Sequence, residues 1–446
     1  MDAINKLEQE VHLDQGKHRA THHMNGRIFP FMTRNPERVK FKDPFIEIVG
    51  LSVRHSLGNE LVIEDVKGQY LENIREEITI GETIQESDMR ELFSFDFSDS
   101  STPEMLKYYP VSNVDSKETV GKIQLAKYMV ELFDLKNNQG WLNYVSQDSK
   151  ELSLYDQVVN QNLPDLGSQK QSKKENFVFF DQEDLLHYFN RDLEVLMKDQ
   201  SFFMGNIDQL MSYYLFYYII QQSLQIDRVE RQQPDLWYAF DKEKLSKGRN
   251  ASRFGYRLVL DKGRNILVHQ DLIDYLNTLT GENDQFRSLE EIAQDEEMRK
   301  ATTGRLVRFN QTFAQVMGRW DDYGAEADFT KQVKQLRDYL EEAIADATAS
   351  RYSRSFREFS RLGFIRSRGR LGYVLNASQE LILLFVGVIV GQNNKILLDE
   401  FFDELAARGI QFDTQSRRAV VEYFEQINIL EKLSDSGDAQ YVKSIL

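Results

Sequence analysis

The segment that most constrains this chain is Leu381-Ile382-Leu383-Leu384-Phe385-Val386-Gly387-Val388-Ile389-Val390, because ten residues in a row carry no polar side chain. A helix built from them must be buried on every side, and Ser378 followed by Glu380 supplies its N-terminal start. Gly391-Gln392-Asn393-Asn394 then breaks the chain. From Lys395 to Arg408, Ile396, Leu397, Leu398, Phe401, Phe402, Leu405 and Ala406 recur at helical spacing, with Asp399, Glu400, Asp403 and Glu404 opposite. That spacing predicts an amphipathic helix over 395–408, stopped by Gly409.

Asp413 or Thr414 caps a further amphipathic helix, whose inward residues are Val420, Val421, Tyr423, Phe424 and Ile427. Residues 431–442 read as two short strands around a Ser-Gly-Asp turn. A buried helix, two amphipathic helices and a hairpin, in that order, predict a winged helix-turn-helix. The first turn of its last helix offers Gln415, Ser416, Arg417 and Arg418, side-chain types that donate to phosphates and base edges, and Lys432 adds a cation beside the wing. The same fold also docks proteins, and Asp435 and Asp438 at the wing tip would repel phosphate.

Charge sharpens this picture. The 446 residues hold 55 Lys and Arg against 71 Asp and Glu, a formal net charge of -16, so the chain is not a general nucleic-acid coat. Yet Arg351, Arg354, Arg357, Arg361, Arg366, Arg368 and Arg370 crowd into 351–370 against the single acid Glu358. Seven arginines less one glutamate leave that segment at +6 and the remainder at about −22. Such a strip suits a phosphate backbone or an acidic partner, unless the arginines pair with the protein's own carboxylates.

At about 150 residues per domain, the length predicts two to four domains. Cysteine is absent, which excludes disulfides, thiolate metal sites and cysteine nucleophiles and fits a reducing cytoplasm. The N-terminus lacks a signal-peptide pattern, and no apolar run reaches the ~18 residues of a membrane span, so a soluble cytoplasmic protein is expected.

Helical periodicity continues upstream, at 44–57, 62–78, 117–135, 181–198, 202–226, 269–280, 288–299, 304–318 and 329–348. Residues 28–38 are irregular and proline-punctuated, 94–103 read as a loop, and the polar stretch 147–176 as an exposed linker. Tyr213, Tyr214, Phe216, Tyr217 and Tyr218 sit in a helical run with Leu210, Leu215, Ile219 and Ile220, which favours a core over a base-stacking platform. The expected fold is mainly α, a multi-domain helical protein with a few short β-hairpins. Its expected parts are an N-terminal, mainly helical region (1–115), a central helical domain (116–348) and the arginine-rich segment with the winged helix (349–446).

Catalytic signatures are missing from the sequence. There is no phosphate-binding loop ending in Gly-Lys-Ser or Gly-Lys-Thr, no Gly-x-Gly-x-x-Gly turn, no Gly-x-Ser-x-Gly elbow and no His-Glu-x-x-His helix. His22-His23 is an adjacent pair, not one helical face. Asp115-Ser-Lys117, Asp134-Leu-Lys136 and Asp148-Ser-Lys150 match a fragment of metal-nuclease sites, a triplet that chance supplies in a chain with 28% charged residues. We therefore expect no catalytic residue, no metal site and no cofactor, with a metal-dependent nuclease as the alternative.

Three stretches together resemble the DptG family of DNA phosphorothioation-dependent restriction proteins, a bacterial defence component. They are Phe31-Met32-Thr33-Arg34-Asn35-Pro36-Glu37-Arg38, then Leu236-Trp237-Tyr238-Ala239-Phe240-Asp241-Lys242-Glu243-Lys244-Leu245-Ser246-Lys247 with Gly255-Tyr256, and Ser434-Asp435-Ser436-Gly437-Asp438-Ala439-Gln440-Tyr441-Val442. The resemblance implies membership of a restriction complex with an ATPase and a helicase-like partner that damages DNA lacking the sulfur-modified backbone. It supplies no catalytic residues. The expectation is a non-catalytic accessory subunit on double-stranded DNA, and the alternative is a scaffold whose winged helix binds protein alone.

Overall fold

The computed structural model describes residues 2–20, 25–30, 45–62, 65–77, 102–111, 116–146, 161–169, 176–230, 232–263, 265–282, 285–319, 324, 326–345, 357–432 and 439–446. They form a mainly α architecture with three small sheets. The first half contains α1 (Ala3–Glu10), α2 (Ile46–Leu57), β1 (Asn59–Glu60), α3 (Val66–Glu77), α4 (Ser116–Leu132), α5 (Gln139–Ser146), β2 (Gly167–Ser168), α6 (Glu183–Leu196) and α7 (Gln200–Gln225). After β3 (Ala239–Phe240) come α8 (Asn250–Arg253), α9 (Tyr256–Gly263), α10 (Ile266–Thr280), α11 (Leu289–Gln294), α12 (Glu296–Val316) and α13 (Phe329–Ala343). The C-terminal part runs β4 (Ile365–Ser367), β5 (Tyr373–Ala377), α14 (Gln379–Val390), β6 (Lys395–Leu397), α15 (Leu398–Ala407), α16 (Thr414–Gln426), β7 (Leu430–Lys432) and β8 (Gln440–Lys443).

The helix α7 is the central pillar. Asp199 caps it by accepting from the Phe202 amide at 2.7 Å, and α2, α6, α9 and α14 all pack against it. Tyr213, Tyr214, Phe216 and Tyr218 are buried there, as core residues. The all-apolar α14 is capped by Ser378, which accepts from the Leu381 amide at 3.1 Å, and it is buried along its length. Gly387 lets it approach α7, because a Cβ at that position would lie 2.2 Å from the Phe202 ring. One continuous apolar core joins residues from Ile4 to Val442, and each buried Leu, Ile or Phe in it contributes ~1.5–3 kcal/mol.

Three expectations are corrected. Lys395, Ile396 and Leu397 are a strand, paired with Lys443, Val442 and Tyr441 of β8, so the helix begins only at Leu398. Residues 161–169 are not an exposed linker: Leu163 is buried, and Ser168 pairs with Asn59. The break expected between 299 and 304 falls instead at Asp295, whose side chain caps α12 through the Met298 amide at 2.9 Å. The remaining parts of the polar stretch, 147–160 and 170–175, lie outside the described residues, as do most of the 94–103 loop and His22-His23.

Candidate nucleic-acid interface

The C-terminal elements follow the order helix, strand, helix, helix, strand, strand, with a three-stranded antiparallel sheet in the order β6-β8-β7. Asp413 caps α16 as expected, its Oδ1 accepting from the amides of Gln415 and Ser416 at 3.1 and 3.0 Å. Val420, Tyr423 and Phe424 point inward, whereas Ile427 is exposed. The hairpin tip with Asp435 and Asp438 lies outside the described residues.

The first turn of α16 is tied to the body of the molecule. Arg249 donates to both oxygens of Asp413 (2.8 and 2.5 Å), to Glu243 Oε2 (2.8 Å) and to Ser416 Oγ (2.8 Å). Ser416 in turn donates to Glu243 Oε1 at 2.7 Å. Beside this network Tyr238 N donates to Gln411 O at 2.8 Å and Gln411 N to Leu236 O at 3.1 Å. Burial alone would raise the Asp413 pKa, but the hydrogen bonds from Arg249 and the cap amides overcome it and hold the carboxyl below its ordinary value.

Of the expected contact residues here, Gln415 and Arg418 face solvent. The Arg417 guanidinium lies over the Phe402 ring at 4.9 Å, and Lys432 pairs with Glu425 at 2.5 Å. Asp399, Glu400, Asp403, Glu422 and Glu425 are also exposed, so the solvent face of α15 and α16 is predominantly acidic.

The arginine cluster divides into two groups. Arg366 pairs with Asp241, and Arg368 donates to Phe240 O (2.8 Å), Glu243 O (2.9 Å) and Asn376 Oδ1 (3.1 Å). Both clamp the 240–243 turn onto the β4–β5 hairpin, whose β5 also pairs in parallel with β3. Burial lowers the pKa of Arg368, and the neighbouring Arg366 lowers it further.

Arg357, Arg361 and Arg370 reach solvent. Arg361 donates to both Glu358 oxygens at 2.9 and 3.0 Å, while Arg357 and Arg370 have no acidic partner among the described residues. Arg351 and Arg354 lie outside the described residues.

Two further arginines that the sequence reading passed over join this edge. Arg253 and Arg257 are exposed at the end of α8 and the start of α9, and both helices pack on β5. Tyr256 links them to the cluster: burial pushes its hydroxyl up to about 12, and the charges of Arg357 and Arg361 lie near enough to oppose that rise. The signal was present in the sequence, since Arg249, Arg253 and Arg257 recur every fourth residue around Phe254 and Tyr256.

Two cavities lie elsewhere. One, of about 230 Å³, is lined by Tyr188, Tyr214, Tyr217, Gln221, Gln222 and Arg408. The fully buried Arg408 is held there by Asp192 at 2.6 and 2.7 Å and by Glu404 at 2.6 Å, and Tyr214 also donates to Asp192 at 2.6 Å. The other, of about 370 Å³, contains Asp227 between Arg337 at 3.2 Å and His269 at 3.6 Å. Among the described residues no group of three or more His, Asp or Glu side chains is placed to hold a metal ion. Asp134-Leu-Lys136 lies in a turn after α4, while Asp115, Asp148 and Lys150 lie outside the described residues.

Of the resembling stretches, 236–247 forms β3 and its turn against α16, whereas 31–38 and 434–438 lie outside the described residues. No helix among the described residues is long and apolar enough to cross a membrane. Comparison with protein-family models and with curated proteins finds no match to this chain.

Proposed function

We propose that this chain is a non-catalytic accessory subunit that couples an ATPase and a helicase-like partner to DNA in a phosphorothioation-dependent restriction complex. The single observation that carries the DNA part is the exposed edge of Arg253, Arg257, Arg357, Arg361 and Arg370 on a chain of net charge -16. Concentrated cations on an acidic body direct a polyanion to one place and repel it elsewhere. The restriction context comes from the resemblance to the DptG family. We read the C-terminal module as a winged helix, from its element order and strand order.

The acidic solvent face of α15 and α16 supports a division of labour. The arginine edge holds phosphate, and the winged helix docks a protein partner with a basic surface. A scaffold without DNA is the second reading, favoured by that same acidic face.

The test is DNA affinity across a salt series. Replacing Arg357 or Arg370 by Ala should each reduce the log–log salt slope by about 1, as expected for loss of one phosphate contact, whereas Arg418→Ala should leave it unchanged. No binding to any DNA at low salt would overturn the DNA part. Co-purification of an ATPase that survives nuclease treatment would support the complex, and recovery of the chain alone would count against it.

A further inference from the structure

The chain contains 29 Phe, 20 Tyr and 3 Trp, and among the described ones only Phe254 and Tyr373 are exposed, at 47% and 36%. A protein that buries its described rings so consistently leaves these two out beside exposed arginines, Phe254 next to Arg253 and Tyr373 near Arg361. Phe254 follows Arg253 at the end of α8, and its carbonyl is held by the Trp237 amide at 3.4 Å. Tyr373 opens β5, its ring set edge-on to the buried Tyr256 with centroids 6.5 Å apart.

Arg361 lies near Tyr373, and its charge is balanced by Glu358 at 2.9 Å. Arg253, Arg257 and Arg357 have no acidic partner among the described residues. Leu260, exposed at 39%, lies one turn after Arg257 on α9.

Duplex DNA offers phosphates to such a surface but keeps its base faces stacked inside. An unpaired strand offers both, and every base has a face on which a ring can stack, whatever the sequence. We propose that the edge formed by Arg253, Phe254, Arg257, Arg357 and Tyr373 binds single-stranded nucleic acid, the rings stacking on unpaired bases and the arginines contacting the backbone. This rests on the nucleic-acid reading above and narrows it to the separated strand that a helicase-like partner would produce.

The experiment is fluorescence anisotropy on the full chain, with a labelled oligothymidylate of about 20 nucleotides and a duplex of equal length. The expected result is tighter binding of the single strand, weakened about tenfold by Phe254→Ala and again by Tyr373→Ala, with duplex binding unchanged. Phe254→Leu, which keeps an apolar side chain without a ring, should behave like Phe254→Ala. Both positions are exposed, so unchanged thermal melting is expected. Should an alanine variant melt early, Phe254→Leu and Tyr373→Phe carry the test, the latter retaining strand binding.

Equal or better binding of duplex, insensitive to both rings, would overturn this inference and leave the phosphate-binding reading standing. Absence of binding to either DNA at low salt would overturn both. Binding of polyglutamate without binding of DNA would make the edge a protein-docking surface and would also overturn both.

Discussion

His55 shows how burial can dominate a titration. It is 8% exposed at the end of α2, takes a hydrogen bond with Gln169 and has no partner at Nε2, and its pKa falls from 6.5 to about 4. Desolvation is the main cause, reinforced by Lys127, Arg54 and Lys136. Between about pH 6.5 and 4 the unfolded chain binds a proton that the folded chain refuses. This contribution to stability is therefore complete above pH 6.5 and is lost as pH falls toward 4, by about 3 kcal/mol if the histidine acts alone. Urea unfolding at intervals from pH 7 to 4 should show this slope, and His55→Gln should remove most of it. The signal was invisible in the sequence, where His55 is one of seven histidines and its partner lies in a stretch read as linker.

Element ends were the more legible level. Ser378, Asp413 and Gly409 all perform the terminal roles their positions suggested, because capping depends on a few neighbouring residues and not on distant ones. Gly409 has a second constraint that local pattern does not reveal. Its φ is +90°, and a Cβ there would lie 2.1 Å from the Tyr217 ring. Gly409→Ala should thus combine backbone strain with overpacking and cost roughly 2–4 kcal/mol, measured as a lowered thermal midpoint. The strand at Lys395–Leu397 was misread for a related reason. Its three residues fit a helical face as well as a strand, and only β8, more than forty residues later, supplies the edge that decides between them.

Across the whole molecule, Arg249 joins the middle of the chain to its end. Its guanidinium bridges Glu243 and Asp413, which are 5% and 16% exposed, so Arg249→Ala would leave two carboxylates without their cation. Removing one side of such a network costs ~3–5 kcal/mol. Amide hydrogen exchange should then accelerate together at Gln415 and Ser416, which the Asp413 cap protects, and at Tyr238, which bonds to Gln411. Acceleration confined to residues around 249 would show that the module is held by its apolar contacts instead.

By itself the sequence determined the helical class, most helix positions, the caps of the C-terminal module and the existence of an arginine-rich segment, since periodicity, capping and local charge are short-range properties. Tertiary structure alone decided which of those arginines are free to bind. Arg366 and Arg368 are held by the 240–243 turn, whereas Arg357 and Arg370 are not, and Arg253 and Arg257 are brought to them from a hundred residues away. A charge serves function only after its neighbours have taken their share of its hydrogen bonds, and those neighbours are chosen by packing.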